Sequence, residues 1–451
     1  MKDFKPINQK TVSFRVKDFC VPTKKPTTVQ RHTIYPSVNT GFTATKRGLG
    51  NGYVTKRIEV DKVQIREIDG NVINKMFCFS THQAGRVVNT IIAVTSGGVY
   101  YVPLFASMTP RPLPNQAITD FDCMAYSYSK DRDFVFAGNN DGIFVADYSL
   151  LFTPLDVNFK AKQMLVFDNR LFVLDKDGVT VHFSTALDLC DFGADSGLSG
   201  SIKVDDALGE IIAIERYEGK LLLVHKYGFR ILQTAYDPSK FSLETFAHSY
   251  ETIIENSACA LGDTIYFLTR QGLCRVGRLG RVELLSVPVD VNTDNVHAIV
   301  YDNRYFIVTG NTLVIIEKFF DSVSVYNGMN IKAMERIFTA TTDCLAVLLG
   351  DNFIHEISKA AESNTPDEWE SDWFALGYAT TKQYVRRILI KTAEDIDLVI
   401  GNTRGSQSIK VYGGNDIQTI NLNFKGDAFK VKIASNTANP DISELSVVVS
   451  F

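Results

Sequence analysis

The sequence predicts an all-β protein: a β-propeller of seven blades, a C-terminal β-sandwich-like domain and an irregular N-terminal arm. The first observation behind this prediction is a pattern of three short strands that occurs twice in succession between Gln163 and Leu232. The second is that the Gly-containing turn of this pattern recurs along the chain, and the third is that helix signals are nearly absent. Four-stranded blades of about 40 residues each account for all three observations.

The two copies of the pattern run from Met164 to Phe183 and from Ile211 to Leu232. In each copy an apolar run ends in a polar turn, a second run that is apolar on both faces follows, and a Gly-containing turn leads into an alternating strand. Turns of the Asp177-Gly178 type tolerate the positive φ that a tight hairpin requires. The middle run is typical of a strand that is buried on both faces, sheet against sheet.

The Gly-containing turn recurs seven times at a mean spacing of about 42 residues. It lies at Gly98, Gly142, Gly178, Gly228, Gly272, Gly310 and Gly350. An apolar run precedes and follows each of these turns. The turns therefore predict seven blades within residues 53–360, and the blade number rests on counting them because no Trp-Asp or kelch-type signature is present.

Residues 1–52 lack regular periodicity and are rich in Pro and Gly, so we expect a basic extended arm without a core of its own. Residues 1–60 carry twelve Lys and Arg against three Asp and Glu. We expect the arm to lie on the protein's own body or on a neighbouring subunit, against an acidic protein surface or, alternatively, DNA. The residues expected to make this contact are Lys24, Lys25, Arg31, Lys46 and Arg47.

The C-terminal part of the chain begins with an acidic stretch at residues 361–372, which we interpret as a linker. Residues 373–451 then show six short runs with β-type alternation. A pure β pattern of this length predicts a small β-sandwich packed against the propeller.

The composition indicates a globular protein of 451 residues, with 45% hydrophobic and 22% charged residues and a net charge of −4. The seven cysteines are spaced singly, which favours reduced, buried thiols over disulfides or a metal site. No apolar run of about 18 residues is present and the N-terminus lacks an apolar signal core. We therefore expect a protein made in the cytoplasm, without membrane insertion.

No motif in the sequence has the spacing of a catalytic site. One acidic cluster consists of Asp188, Asp191, Asp195, Asp205 and Asp206. It lacks the Gly and Glu positions of a calcium-binding loop, so a solvated loop between blades is the better interpretation. No histidine pair has zinc-hydrolase spacing. We expect no catalytic residue, no cofactor and no metal, and hence a protein that is not an enzyme.

Three consecutive runs of the sequence share a recognisable pattern: Phe183–Phe192, Gly200–Ile214 and Lys220–Ile231. They resemble the propeller of virion proteins from tailed bacteriophages. In tail nozzle and tail hub proteins of short-tailed phages, an Asp-Phe segment precedes a strand with paired acidic residues. An Ile-x-x-Ile strand and an apolar strand with a Gly turn follow. Two further similar runs here are Asn39–Gly48 and Ile254–Phe267. The resemblance covers about residues 39–276, and the chain has no room for the larger inserted domain that nozzle proteins often carry.

The resemblance implies a non-catalytic structural subunit of a phage tail or neck, located in the virion and assembled as a ring around the DNA channel. Its partners would be copies of itself, other tail or neck proteins, and phage DNA that passes without specific binding. The acidic residues Asp188, Asp191, Asp195, Asp205 and Asp206 would face that channel.

Two alternatives stay open. One is a receptor- or glycan-binding propeller at the tail tip that uses Tyr100, Tyr101, Trp369 and Trp373. For these aromatic residues, packing between the sandwich and the propeller is the simpler interpretation. The other alternative is a polysaccharide hydrolase with a carboxylate pair in the central funnel.

Overall fold

The computed structural model describes most of the chain, and its described residues are almost entirely β-strand. The described residues are 11–22, 33–40, 42–50, 53–60, 63–68, 70–83, 86–104, 108–127, 133–193, 197–205, 207–287, 289–318, 322–339, 342–359, 367–376, 382–435 and 441–450. The helical structure within these ranges is one 3-10 turn at Pro238–Lys240. None of the helices in this part of the chain is long and apolar enough to cross a membrane.

Short strands occupy the described residues that precede the first four-stranded sheet. They are β1 (Thr11–Val16), β2 (Thr33–Ile34), β3 (Pro36–Thr40), β4 (Thr43–Thr45), β5 (Gly48–Gly50), β6 (Tyr53–Arg57), β7 (Glu59–Val60) and β8 (Val63–Gln64). Strands β4 and β5 form one antiparallel pair, and β7 and β8 form another.

The middle of the chain folds into consecutive antiparallel sheets of four strands each. Sheet A contains β9 (Ile73–Gln83), β10 (Arg86–Thr95), β11 (Gly98–Pro103) and β12 (Arg111–Pro112). Sheet B contains β13 (Cys123–Ser127), β14 (Phe134–Gly138), β15 (Ile143–Ala146) and β16 (Thr153–Pro154). Sheet C contains β17 (Ala161–Phe167), β18 (Arg170–Asp175), β19 (Thr180–Phe183) and β20 (Gly200–Lys203).

The same order continues in the sheets that follow. Sheet D contains β21 (Ile211–Tyr217), β22 (Lys220–His225), β23 (Gly228–Gln233) and β24 (Ser242–His248). Sheet E contains β25 (Cys259–Leu261), β26 (Thr264–Thr269), β27 (Gly272–Val276) and β28 (Val282–Leu284). Sheet F contains β29 (Val296–Tyr301), β30 (Arg304–Thr309), β31 (Thr312–Glu317) and β32 (Ser322–Asn327). Sheet G contains β33 (Ala333–Phe338), β34 (Asp343–Leu348), β35 (Ile354–Lys359) and the early strand β6.

Sheets A to G close into a circle. The first strand of each sheet contacts the first strand of the next, and β33 of sheet G contacts β9 of sheet A. Strand β6 pairs with β35, so a strand from before sheet A completes the last sheet. A cluster of buried apolar side chains fills each space between neighbouring sheets. The arrangement is that of a β-propeller, as the sequence predicts.

Each recurring glycine either lies in the turn between the second and third strands of its sheet or is the first residue of the third strand. At Gly228 the backbone has a φ of +156°, and a Cβ added there would lie 2.3 Å from the carbonyl oxygen of Ala247. Any side chain at this position would collide with the backbone of β24, so the turn requires glycine.

The remaining strands combine with the N-terminal strands in a second region, which we call the terminal region. They are β36 (Asp367–Ser371), β37 (Gln383–Lys391), β38 (Ile396–Asn402), β39 (Gly405–Val411), β40 (Gln418–Gly426), β41 (Lys430–Ser435) and β42 (Glu444–Ser450). One sheet has the order β2-β1-β42-β37-β40. The other, in the order β3-β36-β41-β38-β39, continues directly from β32 of sheet F. Side chains of the two sheets share one apolar core cluster.

Where the structure describes it, the N-terminal segment forms short strands that join sheets of the protein's own body. Strand β1 pairs with β42 over five residue pairs, and β3 lies between β32 and β36. Phe14, Phe19 and Ile34 are buried in the core of the terminal region. These segments are too short to form a core alone, but they complete sheets whose other strands come from the end of the chain.

The stretch interpreted as an acidic linker contains β36. Its residues alternate, with Asp367, Trp369 and Ser371 buried and the two glutamates between them partly exposed. Glu368 and Glu370 form ion pairs with Lys432 and Lys430 of the neighbouring strand β41. The acidic composition therefore belongs to one face of a strand, and its period of two residues is the informative signal.

Candidate functional site

The main candidate site is a cavity of about 740 Å³ at the axis of the propeller, where the first strands of the sheets end. It is lined by residues of β9, β13, β17, β21 and β33 and by the turn after β17. The lining residues are Phe77, Cys78, Phe79, Met124, Ala125, Tyr126, Ser127, Met164, Leu165, Val166, Phe167, Asp168, Asn169, Arg216 and Glu335. A smaller cavity of about 320 Å³ shares Cys78, Phe79 and Tyr126 and extends toward Arg336 and Phe338.

A Glu-Arg pair recurs on two of the first strands, as Glu215-Arg216 in β21 and Glu335-Arg336 in β33. The apolar residues before each pair, Ile214 and Met334, belong to the clusters between the sheets. Arg216 and Glu335 line the cavity, and Arg336 lines the smaller one. Two different sheets thus bring a carboxyl group and a guanidinium group to the centre of the molecule.

The two glutamates are partly buried, and burial is the main influence on their pKa values. Burial raises the pKa of Glu335 from 4.5 to about 8. It raises the pKa of Glu215 to about 7, although the neighbouring Arg216 acts in the opposite direction. At neutral pH the carboxyl group of Glu335 is therefore mostly protonated and carries no charge.

Burial also favours the neutral forms of three other groups on the first strands. Burial raises the pKa of the thiols of Cys78 and Cys259. It lowers the pKa of His297 on β29. A thiol with a raised pKa is a poor nucleophile, so Cys78 contributes to the wall of the cavity as a small apolar group.

The two arginines differ in their partners. Arg336 donates hydrogen bonds from Nε and Nη2 to the carboxylate of Asp343, at 3.1 and 2.9 Å. Arg216 donates from Nη2 to the carbonyl oxygen of Val166 at 2.6 Å. Among the residues that the structure describes, no ion pair joins Arg216 to a carboxylate. Its positive charge therefore faces the cavity without a neutralising partner.

A two-residue turn after β17 forms part of the cavity wall. Asp168 and Asn169 both have positive φ, at +48° and +57°, and short polar residues tolerate this conformation better than others. Asp168 accepts a hydrogen bond from the hydroxyl of Thr234 at 2.9 Å. The cavity thus combines an aromatic wall with a cation, a protonated acid and several hydrogen-bonding groups, which suits binding of a small polar molecule.

The side chains that could bind a metal ion are scattered in the described part of the chain. Within it, no group of three or more His, Cys, Asp or Glu side chains is placed to hold a metal ion. The described cysteines are free thiols.

The acidic residues identified in the sequence lie away from the cavity. Asp188 and Asp191 are exposed in the loop between β19 and β20, where their side chains accept hydrogen bonds from the amides of Cys190 and Gly193. Asp205 follows β20 and forms an ion pair with Arg230 of sheet D. Since β20 is the outermost strand of its sheet, these carboxylates do not line the axis of the propeller. Asp195 and Asp206 lie outside the described residues.

Of the basic residues expected in the arm, Lys46 and Arg47 form the exposed turn between β4 and β5. Lys24, Lys25 and Arg31 lie outside the described residues, so their contacts stay a prediction.

The aromatic residues considered for glycan binding are separated in the structure. Tyr100 and Tyr101 pack against clusters on opposite faces of sheet A. Trp369 is fully buried in the terminal region, whereas 51% of Trp373 is exposed. Sequence reasoning missed Arg216 and Glu335 altogether. The signal that points to them is the recurrence of Glu-Arg at the same place in two sheets.

Comparison with known proteins shows no relative by sequence, because neither a protein-family model nor a curated protein matches the chain. Solved structures with some similarity include three of different kinds. The extracellular domain of the putative one-component system BT4673 from B. thetaiotaomicron has a TM-score of 0.44 and 12% identity, over 81% of this chain and 47% of that one. The N-terminal domain of Nup159 has a TM-score of 0.45 and 9% identity, over 71% of this chain and 97% of that one. The Pan2 WD40 domain of Neurospora crassa has a TM-score of 0.40 and 10% identity, over 64% of this chain and 89% of that one.

These similarities carry no functional argument because all three TM-scores are below 0.5. The chain spans about half the length of the BT4673 domain. The assignment of the propeller rests on the strand pairing and on the circular contacts between the sheets.

Proposed function

We propose that the chain is a non-catalytic structural subunit of the tail or neck of a tailed-phage virion. Copies of it would form a ring, together with other tail or neck proteins, around the channel through which phage DNA passes without specific binding. In this proposal the body is a seven-bladed propeller, made of sheets A to G, with a C-terminal β-sandwich-like domain that includes N-terminal strands. The protein is synthesised in the host cytoplasm and located in the virion.

The observation that carries the proposal is the joint between the propeller and the terminal region. Strand β3 pairs in parallel with β32 at Thr40 and Val325, and on its other side it pairs with β36. Asn39 also donates a hydrogen bond from Nδ2 to the hydroxyl of Ser324 at 2.9 Å. Backbone hydrogen bonds thus run without interruption from sheet F into the terminal region. A subunit of this kind is one stiff body, which a ring that withstands DNA passage requires.

A second contact supports this joint. The amide of Val323 donates a hydrogen bond to the carbonyl oxygen of Val21 at 3.0 Å, and the hydroxyl of Tyr326 donates one to the carbonyl oxygen of Phe42 at 3.3 Å. Val21 is also part of the apolar cluster between sheets E and F. The N-terminal segment therefore holds the two regions together along the edge of β32 that faces away from β31.

The terminal region supports self-assembly through its sheet edges. Strands β39 and β40 are the last strands of their two sheets, and in the described residues each pairs with one neighbour only. An edge strand presents backbone groups that can pair with another chain. Exposed Tyr412 and Ile417 lie between these two edges. We propose that a neighbouring copy in the ring contacts this surface.

The cavity at the axis of the propeller is too small to hold a DNA duplex, since its volume of about 740 Å³ is that of a small-molecule site. The DNA channel of the proposed ring would therefore lie between copies of the chain and not within one propeller. Exposed Asp188 and Asp191 on the outer edge of sheet C would repel DNA phosphates if that edge faced the channel.

The experiment that tests the proposal is quantitative mass spectrometry of purified particles from the source of the chain. A fixed small number of copies per particle, with the chain retained after nuclease and salt washes, supports a virion subunit. Absence from washed particles contradicts it. A host cytoplasmic protein quantified in the same samples serves as the control for contamination.

A further inference from the structure

The cavity at the propeller axis has features of a ligand site that a purely structural subunit does not need. Arg216 is exposed at the cavity and, among the described residues, has no carboxylate within ion-pair distance. Its counterpart Arg336 on β33 is neutralised by two hydrogen bonds to Asp343. Of the two arginines in the Glu-Arg pattern, Arg336 is therefore paired with a carboxylate, whereas the charge of Arg216 is free to pair with a bound anion. An unneutralised guanidinium group that lines a concave site is suited to bind an anionic group.

The wall next to Arg216 is aromatic. Phe79 and Tyr126 have ring centroids 6.4 Å apart at an interplanar angle of 47°, and 41% of Tyr126 is exposed. Phe77 and Phe167 also line the cavity. Rings of this kind offer flat apolar surfaces against which the apolar face of another ring packs.

Hydrogen-bonding groups complete the lining. Ser127, Asp168, Asn169 and Glu335 contribute hydroxyl, carboxylate, amide and carboxyl groups to the same cavity. A purely apolar ring would leave these groups without partners on binding, at a cost in free energy. A ligand with several hydroxyl groups would satisfy them.

We propose that the cavity binds a sugar acid, a single pyranose ring that bears one carboxylate. The carboxylate would pair with the guanidinium group of Arg216, the ring would pack against the exposed ring of Tyr126, and the hydroxyl groups would bond to Asn169 and its polar neighbours. The volume of about 740 Å³ is ample for one or two such rings. This inference concerns the propeller alone and holds whether or not the chain is a virion subunit.

Other anions fit the lining less well. A phosphate with two charges would need more than the single unneutralised arginine. An aromatic carboxylate would match the rings but not the polar groups. The favoured ligand is the one that uses the cation, the aromatic wall and the hydrogen-bonding groups together.

The test is titration of the full chain with D-glucuronate and D-galacturonate, followed by saturation-transfer NMR and calorimetry at pH 7. D-Glucose serves as the uncharged probe and benzoate as the aromatic acid. We expect at least one of the two uronates to bind more tightly than D-glucose and benzoate. The variant Arg216→Gln should weaken uronate binding about tenfold or more. Arg216→Lys should retain part of it, because the charge remains while the two-pronged geometry is lost.

The matched control is Arg278→Gln, which removes an exposed arginine that pairs with Glu218, outside the cavity. It should bind uronates as the wild type does. Circular dichroism of each variant verifies folding, and Arg216 is exposed, so its replacement should leave the fold intact. The proposal is overturned if neither uronate binds, if Arg216→Gln binds them equally well, or if benzoate binds in preference to both.

Discussion

The indole N–H of Trp369 donates a hydrogen bond to the carbonyl oxygen of Phe19 at 3.0 Å, and their rings pack with centroids 5.6 Å apart. The two residues are 350 positions apart in the sequence. Both are buried in the core of the terminal region. The contact therefore attaches the start of the chain to its end, inside a single core.

Replacement of Trp369 by Phe tests this contact. The change leaves the carbonyl oxygen of Phe19 without its donor and opens a cavity, so we expect the free energy of unfolding to fall by about 2 to 4 kcal/mol. The measurement is urea denaturation followed by fluorescence and circular dichroism. Trp373→Phe is the matched control because half of that side chain is exposed, and it should change stability by less than about 0.5 kcal/mol. Equal effects of the two substitutions would contradict the account.

A second prediction concerns the recurring glycine turns. Gly228→Ala should destabilise the protein by about 2 kcal/mol or more, because the backbone has positive φ and a Cβ would collide with the carbonyl oxygen of Ala247. Gly142→Ala, at the equivalent turn of sheet B, meets no atom within 4 Å and should be neutral or slightly stabilising. Thermal unfolding of both variants gives the comparison. A neutral Gly228→Ala would show that the turn differs from the structure.

The protonation of Glu335 predicts a pH dependence of stability. Since its pKa is raised in the folded protein from 4.5 to about 8, the native state binds this proton more tightly than the unfolded state. Its contribution to stability is therefore complete below pH 4.5 and is lost as the pH rises through 8. Cys78 and Tyr126, which interact with Glu335, have raised pKa values, so neither becomes charged before Glu335 does.

Glu335→Gln should remove this pH-dependent loss. Chemical denaturation at pH 5 and pH 9 should show the wild type losing about 2 kcal/mol more than the variant between the two pH values. Glu244→Gln, on the exposed strand β24, is the control and should follow the wild type. If Glu335→Gln and the wild type lose stability in parallel, the carboxyl group is not held neutral in the fold.

A fourth prediction concerns the edge of the terminal region. Asn421 is exposed on the edge strand β40, and a lysine there should hinder pairing with a neighbouring chain. We expect Asn421→Lys to raise the concentration needed for self-association about tenfold, as measured by sedimentation velocity over a range of protein concentrations. Ser201→Lys places the same charge on β20, the exposed outer strand of sheet C, and should leave self-association unchanged. Identical behaviour of the two variants would exclude β40 as the contact.

Much of the fold could be predicted from local patterns in the sequence. The glycine turns from Gly98 to Gly350 mark the middle of each four-stranded sheet, because tight hairpins require special backbone angles that few residues tolerate. What local patterns do not reveal is long-range pairing. Strand β1 pairs with β42, and β6 completes the sheet that ends at Lys359. Each of these strands is short and lacks a core until its distant partner is known.

The candidate site could be predicted less well. Asp188 and Asp191 belong to an acidic cluster that is evident in the sequence, yet they are exposed at the outer edge of sheet C. Arg216 and Glu335 are 119 positions apart in the sequence and meet at one cavity only because the propeller closes. Among the described residues, Arg216 lacks a carboxylate partner and Glu335 is protonated because of how the sheets pack around them. Local sequence patterns do not reveal that packing.

The most direct test of the central claim is the number of copies of this chain in purified, washed particles, measured by quantitative mass spectrometry against isotope-labelled peptides. The account predicts the same small whole number of copies in independent preparations, as a ring requires. If the chain is absent, or varies in amount with the extent of washing, it is not a virion subunit.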